Sequence, residues 1–233
     1  IAPVLLAASR VHADTQSFSI QSFTADYYLD RNDIKTSTLT VEEVIVARFP
    51  DFDQNHGILR AIPKEYQNRT VNLNIESVTD QSDKPYQYST YGENNNEVLK
   101  IGDADSYVHG PTTYKIKYSL RNAINFQEQD EFYWDINGDQ WQQPFSSVTA
   151  RLHLPKEIAS QLTGQKVCYT GVAGSRLQNC TITTDEGNAD TIVTLQANDL
   201  NAGENASMVV GFTKGTFVLG PEIAEARRNL ILG

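Results

Sequence analysis

The stretch LTVEEVIVARF (residues 39–49) sets Leu39, Val41, Ile45, Ala47 and Phe49 on alternate positions. A period of two means a strand with one face buried and one face wet, the mark of antiparallel sheets. The same period recurs along the chain. Val71, Leu73 and Ile75 alternate with Asn72, Asn74 and Glu76, and Tyr114, Ile116, Tyr118 and Leu120 alternate with Lys115, Lys117 and Ser119. Val148, Ala150, Leu152 and Leu154 alternate with Thr149, Arg151 and His153. Shorter candidate strands run over 86–91, 98–101, 166–169, 181–184, 191–197 and 207–212. In FSIQSFTADYYLD (18–30) the apolar parity switches from Phe18 and Ile20 to Phe23, Ala25, Tyr27 and Leu29. One extra residue near Gln21 or Ser22 accounts for the switch and predicts a β-bulge.

No long segment has the 3.6-residue period of a helix. Short helices are expected over 155–162, with Pro155 in the first turn, and over 221–230. Many short strands separated by turn signals predict an all-β fold, an antiparallel β-sandwich. The chain has 233 residues, and one immunoglobulin-like sandwich needs about 100. Two packed immunoglobulin-like sandwiches are therefore expected, over residues 16–121 and 122–218, with the seam in the polar stretch 121–130. No Gly/Ser linker separates them, so the halves should pack together.

Nineteen basic residues against 29 acidic ones give a net charge of -10. That argues against a nucleic-acid partner and against an anionic membrane surface, since both need concentrated positive charge. No run of 18 apolar residues is present, so contact with a bilayer is expected only through segments outside this chain. Residues 1–15 open with an apolar stretch and carry small residues around Val11-His12-Ala13. They are expected to be a signal-peptide remnant or a disordered N-terminus. Residues 219–233 are expected to be a juxtamembrane linker or tail.

The two cysteines, Cys168 and Cys180, flank YTGVAGSRLQN, which has turn residues at its centre. This spacing suits a structural disulfide across a hairpin. A redox pair wants C-x-x-C, and a structural zinc wants four ligands. A disulfide puts the domain outside the cytoplasm.

Glu43 falls on the apolar parity of its strand. A carboxylate there must be paired, protonated or relieved by a bulge at Glu42-Glu43. Arg60, in HGILRAIP, is the expected partner in a buried ion pair; the functional alternative is a catalytic acid. Asp135, Asn137 and Asp139 match positions 1, 3 and 5 of a calcium loop, but Gln140 and Ser146 stand where that loop needs Gly and Glu. The stronger reading is an Asn137-Gly138 type I′ hairpin turn. No metal site and no cofactor are therefore expected. Tyr133, Trp134 and Trp141 flank the turn. If exposed, they would form a stacking platform for a sugar, with Gln140, Gln142 and Gln143 as hydrogen-bond partners; otherwise they are core. The histidines, His12, His56, His109 and His153, stand in no catalytic motif.

Four stretches together resemble one family: VEEVIVARFPDFDQNHGILRAIP (41–63), VLKIGDADSYVHGPTTYKIKYSLRNAI (98–124), DEFYWDINGDQWQQPFSSVTARLHLP (130–155) and VCYTGVAGSRLQNC (167–180). Their order and words are similar to the extracytoplasmic N-terminal region of the YciQ-like predicted bacterial membrane proteins, a family of unknown function. The resemblance covers most of residues 16–218. It implies a signal peptide before a β-rich outer region and membrane helices after it, and it supports the disulfide. It carries no catalytic residues. The function expected is a non-catalytic extracytoplasmic sensing or interaction domain of a membrane-anchored protein, with an envelope protein or a glycan as partner. The alternatives are a carbohydrate-binding module, with or without calcium, and an envelope hydrolase built on Glu43 or a loop histidine.

Overall fold

A computed structural model describes residues 16–187 and 190–221. The signal remnant expected over 1–15 lies outside the described residues, as do residues 222 onward of the helix expected over 221–230 and of the tail expected over 219–233. In chain order the strands are β1 (Ser19–Arg31), β2 (Ser37–Phe49), β3 (Gly57–Pro63), β4 (Glu65–Tyr66), β5 (Arg69–Thr70), β6 (Asn74–Thr79), β7 (Tyr88–Glu93) and β8 (Asn96–Gly102). There follow β9 (Gly110–Arg121), β10 (Ile124–Phe126), β11 (Asp130–Asp135), β12 (Phe145–Pro155), β13 (Leu162–Gly171), β14 (Cys180–Glu186), β15 (Asp190–Leu200) and β16 (Asn205–Phe212). A single turn of helix, α1 (Lys156–Ala159), starts after Pro155.

A seven-stranded sheet in the order β14-β15-β12-β1-β2-β9-β6 carries the alternating strands. Its buried face is made by Phe23, Ala25 and Tyr27 of β1, Val41 and Ile45 of β2, Ile116 and Tyr118 of β9, and Val148 and Leu152 of β12. A four-stranded sheet, β10-β11-β16-β13, and a three-stranded sheet, β3-β8-β7, cover that face. Phe132 of β11 meets Tyr27 edge-on at 6.0 Å, and Tyr27 donates to Ile136 O at 3.2 Å. The β1–β2 ladder slips between Ile20 and Ser22, at the parity switch of β1.

Two features differ from the expectation. The all-β sandwich architecture holds, but one sheet runs through both halves of the chain. Residues 16–121 supply β1, β2, β6 and β9, and residues 122–218 supply β12, β14 and β15 of the same sheet. The join is a parallel pairing of β1 with β12, from Ile20 opposite Phe145 to Tyr28 opposite His153. No boundary between two separate immunoglobulin-like sandwiches therefore falls at 121–130. Alternation tells which face of a strand is buried, but not which strand lies beside it or in which direction.

The second difference concerns the cysteines. Cys168 and Cys180 are bonded, with Cα atoms 6.3 Å apart. Cys168 lies on β13 of the four-stranded sheet, and Cys180 lies on β14 at the edge of the seven-stranded sheet. The bond therefore staples two layers at the rim of the sandwich as well as closing the turn between the cysteines, where Thr170 pairs with Leu177 in antiparallel register.

Candidate functional site

Glu43 and Arg60 meet where the three sheets come together. Glu43 lies on the inner face of β2, opposite Ala25 and Ile116. Arg60 reaches it from β3. Arg60 Nε donates to Glu43 Oε2 at 2.8 Å and Nη2 to Oε1 at 2.6 Å, a two-point fork. Nη1 donates to Ala61 O at 2.8 Å and to Asn137 O at 2.9 Å. The Tyr118 hydroxyl donates to Glu43 Oε1 at 2.7 Å. Glu43 is 1% exposed and Arg60 2%. Burial opposes the charge of Arg60, but the Glu43 carboxylate beside it wins and holds the guanidinium above its ordinary value. Burial, reinforced by the Glu43 charge, pushes the Tyr27 and Tyr118 hydroxyls well up, so both are neutral at physiological pH. Both oxygens of the carboxylate accept from fixed donors, Arg60 and Tyr118. This is the chemistry of an anchor between layers rather than of an acid catalyst.

The segment from Asp135 to Trp141 closes the centre from the other side. Asn137 O accepts from Arg60 and also from Trp141 Nε1, at 2.8 Å. The Asn137 side chain accepts from Ala206 N at 2.9 Å and donates to Glu204 O at 3.0 Å. Gly138 has φ +74°, and a Cβ there would stand 3.3 Å from Arg60 Nη1. The expected type I′ hairpin does not form. Asn137 is not left-handed, and β11 and β12 belong to different sheets, so the segment crosses between layers. The calcium triad does not converge either. Asp135 accepts from Ser207, Asn137 is spent inside, and Asp139 accepts from Gln140. Among the described residues no group of three His, Cys, Asp or Glu is placed to hold a metal ion. Burial raises the Asp135 carboxyl above its ordinary value, against the hydrogen bond from Ser207.

The sugar platform read from Tyr133, Trp134 and Trp141 is overturned. Trp134 is 1% exposed and Trp141 4%. Trp134 packs against Tyr66 at 4.6 Å, and Trp141 packs edge-on against Phe145 at 5.5 Å. Strand alternation turns Tyr133 to the face of β11 opposite Trp134, where it is half-buried. The three rings therefore share no surface. Gln143 is buried and donates to Gln16.

The parallel β1–β12 join also assembles a cluster that sequence reasoning missed. On the wet face, Asp26 accepts from Arg151 Nε at 2.7 Å and Nη2 at 2.6 Å, and contacts His153 Nε2 at 2.7 Å. Tyr28 stacks on the His153 ring at 4.5 Å. Burial disfavours the Asp26 charge, but Arg151 and His153 outweigh it and hold the carboxyl below its ordinary value. The loop histidines lie apart from this cluster. His109 pairs with Asp53 at 3.0 Å, and His56 Nδ1 contacts Ser106 O at 3.0 Å.

Solved structures resemble this fold. Native yeast LTA4 hydrolase aligns with a TM-score of 0.55 and 9% identity, over 85% of this chain and 30% of that one. The M1 zinc metallopeptidase from Deinococcus radiodurans aligns with a TM-score of 0.46 and 10% identity, over 83% of this chain and 42% of that one. The chain thus spans less than half the length of either, and at 9% identity the likeness to the yeast hydrolase is one of fold alone. No curated protein matches the chain. The profile of a family described as the predicted membrane protein (DUF2207) N-terminal domain matches residues 19–212, and the chain belongs to that family.

Proposed function

We propose that this chain is a non-catalytic extracytoplasmic domain of a membrane-anchored bacterial protein, serving in sensing or interaction. The observation that carries the sidedness is the Cys168–Cys180 bond between layers. Such bonds persist in oxidising compartments and are rare where thiols are kept reduced. Membership in a family of predicted membrane proteins supports attachment to a bilayer. The non-catalytic reading is supported by the way Glu43 is held. Its acceptor sites are taken by Arg60 and Tyr118, deep between the sheets. The partner expected is an envelope protein or a glycan, and the net charge of -10 disfavours nucleic acid.

Trapping thiols in growing cells tests the sidedness. Acid quenching followed by a maleimide of high mass should leave Cys168 and Cys180 unlabelled until a reductant is added. Immediate labelling of both cysteines in the full-length protein would place the domain in a reducing compartment and overturn the reading.

A further inference from the structure

The outer face of the three-stranded sheet carries a cleft that the buried centre does not use. We propose that this cleft binds a neutral oligosaccharide, with Tyr91 as the stacking ring. The proposal deepens the reading of a binding domain by naming a ligand class, and it rests on that reading.

The floor follows from strand register. Ala61 of β3 lies opposite Val98 of β8, and Val98 lies opposite Tyr91 of β7. Arg60, Ile58 and Ile62 point inward, so by alternation Ala61, Val98 and Tyr91 lie on the outer face as one row, in which Val98 is buried and Tyr91 is exposed. Tyr91 is 42% exposed and its neighbour Leu59 41%. An aromatic ring half out of water on the outer face of a sheet presents a flat apolar surface with a polar tip. Here it is held by β-sheet rather than by a loop.

The walls are amides. One wall is the β7–β8 hairpin tip, where Asn94 and Asn95 have φ +49° and +62°, the signature of a type I′ turn. The other wall comes from the segment that crosses between layers and brings Gln140 and Gln142 to the same cleft. An amide side chain carries two donor hydrogens and an acceptor oxygen, which suits ligand hydroxyls. Asn96 donates to Asn94 O and Gln140 to Asp139, so part of this set is held in place. Glu93 is the one charged residue lining the cleft, whose volume is about 270 Å³. Apolar floor, amide walls and little charge select a neutral ligand rich in hydroxyls with an apolar ring face.

The cleft continues into a second groove of about 430 Å³ that shares Leu59 and Tyr91. Gly57 and Gly102 line that groove. A Cβ on either would stand 1.9 Å from the backbone oxygen of Ile101 or His56, so no side chain is tolerated there. Tyr91 thus borders both grooves, which suits a chain of sugar rings better than a single one.

Saturation-transfer NMR and calorimetry on the purified chain test the proposal, with chitotetraose, maltotetraose and trigalacturonate as probes. At least one neutral probe should bind saturably. Tyr91→Ala should weaken it about tenfold or more, and Tyr91→Phe should restore it to within about threefold of the parent. Retention of the parental melting temperature in both variants keeps the test on binding. The proposal is overturned if neither neutral probe saturates by about 10 mM, if Tyr91→Ala binds as well as the parent, or if the anionic probe binds as tightly as the neutral ones. Failure to bind would leave a protein partner as the surviving interaction reading. Cleavage of a bound probe, seen as new reducing ends, would uphold the cleft and overturn the non-catalytic reading.

Discussion

Glu43 is the residue whose position the sequence betrays most clearly. A carboxylate on the apolar parity of LTVEEVIVARF must find a partner, and a basic residue inside the otherwise apolar GILRAIP is the natural one. Their contact, closed by Tyr118 and by Asn137 O, turns that parity fault into the fastening point of three sheets. Removing one partner leaves the other charged and buried. Glu43→Ala should therefore lower the unfolding free energy by about 3–5 kcal/mol, read from urea denaturation. A loss under about 1 kcal/mol would mean that Arg60 finds water when Glu43 is gone. The role of Asn137 was not legible. Its side-chain partners, Ala206 N and Glu204 O, lie nearly 70 residues away, and the dipeptide Asn-Gly carries a strong local turn signal that hides the long-range one. Tyr91 was hidden for a similar reason. Nothing in YSTYGENNNEVLKI tells that Tyr88 and Tyr91 are both left half in water, or which of them borders the cleft.

At the scale of strands, alternation and its faults were readable, and neighbours were not. The parity switch in FSIQSFTADYYLD marks the observed slip between Ile20 and Ser22. β3 escaped notice because Gly57 and Pro63 bound it and Arg60 interrupts its apolar face. The β1–β12 pairing joins strands more than 100 residues apart, and no local pattern announces it. Its ion cluster offers a test. Because the Asp26 carboxyl is held below its ordinary value, the folded state binds its proton less readily than the unfolded chain does. The stabilisation is present above the unfolded-state value, about pH 4, and is lost as pH falls through the lower folded-state value. Asp26→Asn should flatten the decline of the urea midpoint below about pH 4. A decline as steep as in the parent would mean that other carboxylates govern the acid limb. The staple between β13 and β14 belongs to the same scale. Its sequence separation is 12, and a loop of that size stabilises by about 3 kcal/mol by constraining the unfolded chain. Cys168→Ser with Cys180→Ser should cost about that much, with the secondary structure intact by circular dichroism. A loss near zero would mean that the two layers hold their rim without the bond.

For the whole molecule, the shared seven-stranded sheet and one continuous core make the halves interdependent. Residues 16–121 alone lack β12, which pairs with one edge of β1, and residues 122–218 alone expose the edge of β12 that β1 covers. Calorimetry should therefore show one unfolding transition, with equal calorimetric and van't Hoff enthalpies. Two resolved transitions would divide the chain after all. Sheet content and the absence of a long helical pattern were legible from alternation. The division into sheets was not, because it depends on pairings that only the folded chain reveals.

Sidedness decides the function most directly. In spheroplasts carrying the full-length protein, added proteinase K should degrade this domain while the membrane is intact, and a cytoplasmic marker should survive. Protection of the domain until detergent opens the membrane would place it on the cytoplasmic side and contradict an extracytoplasmic binding role.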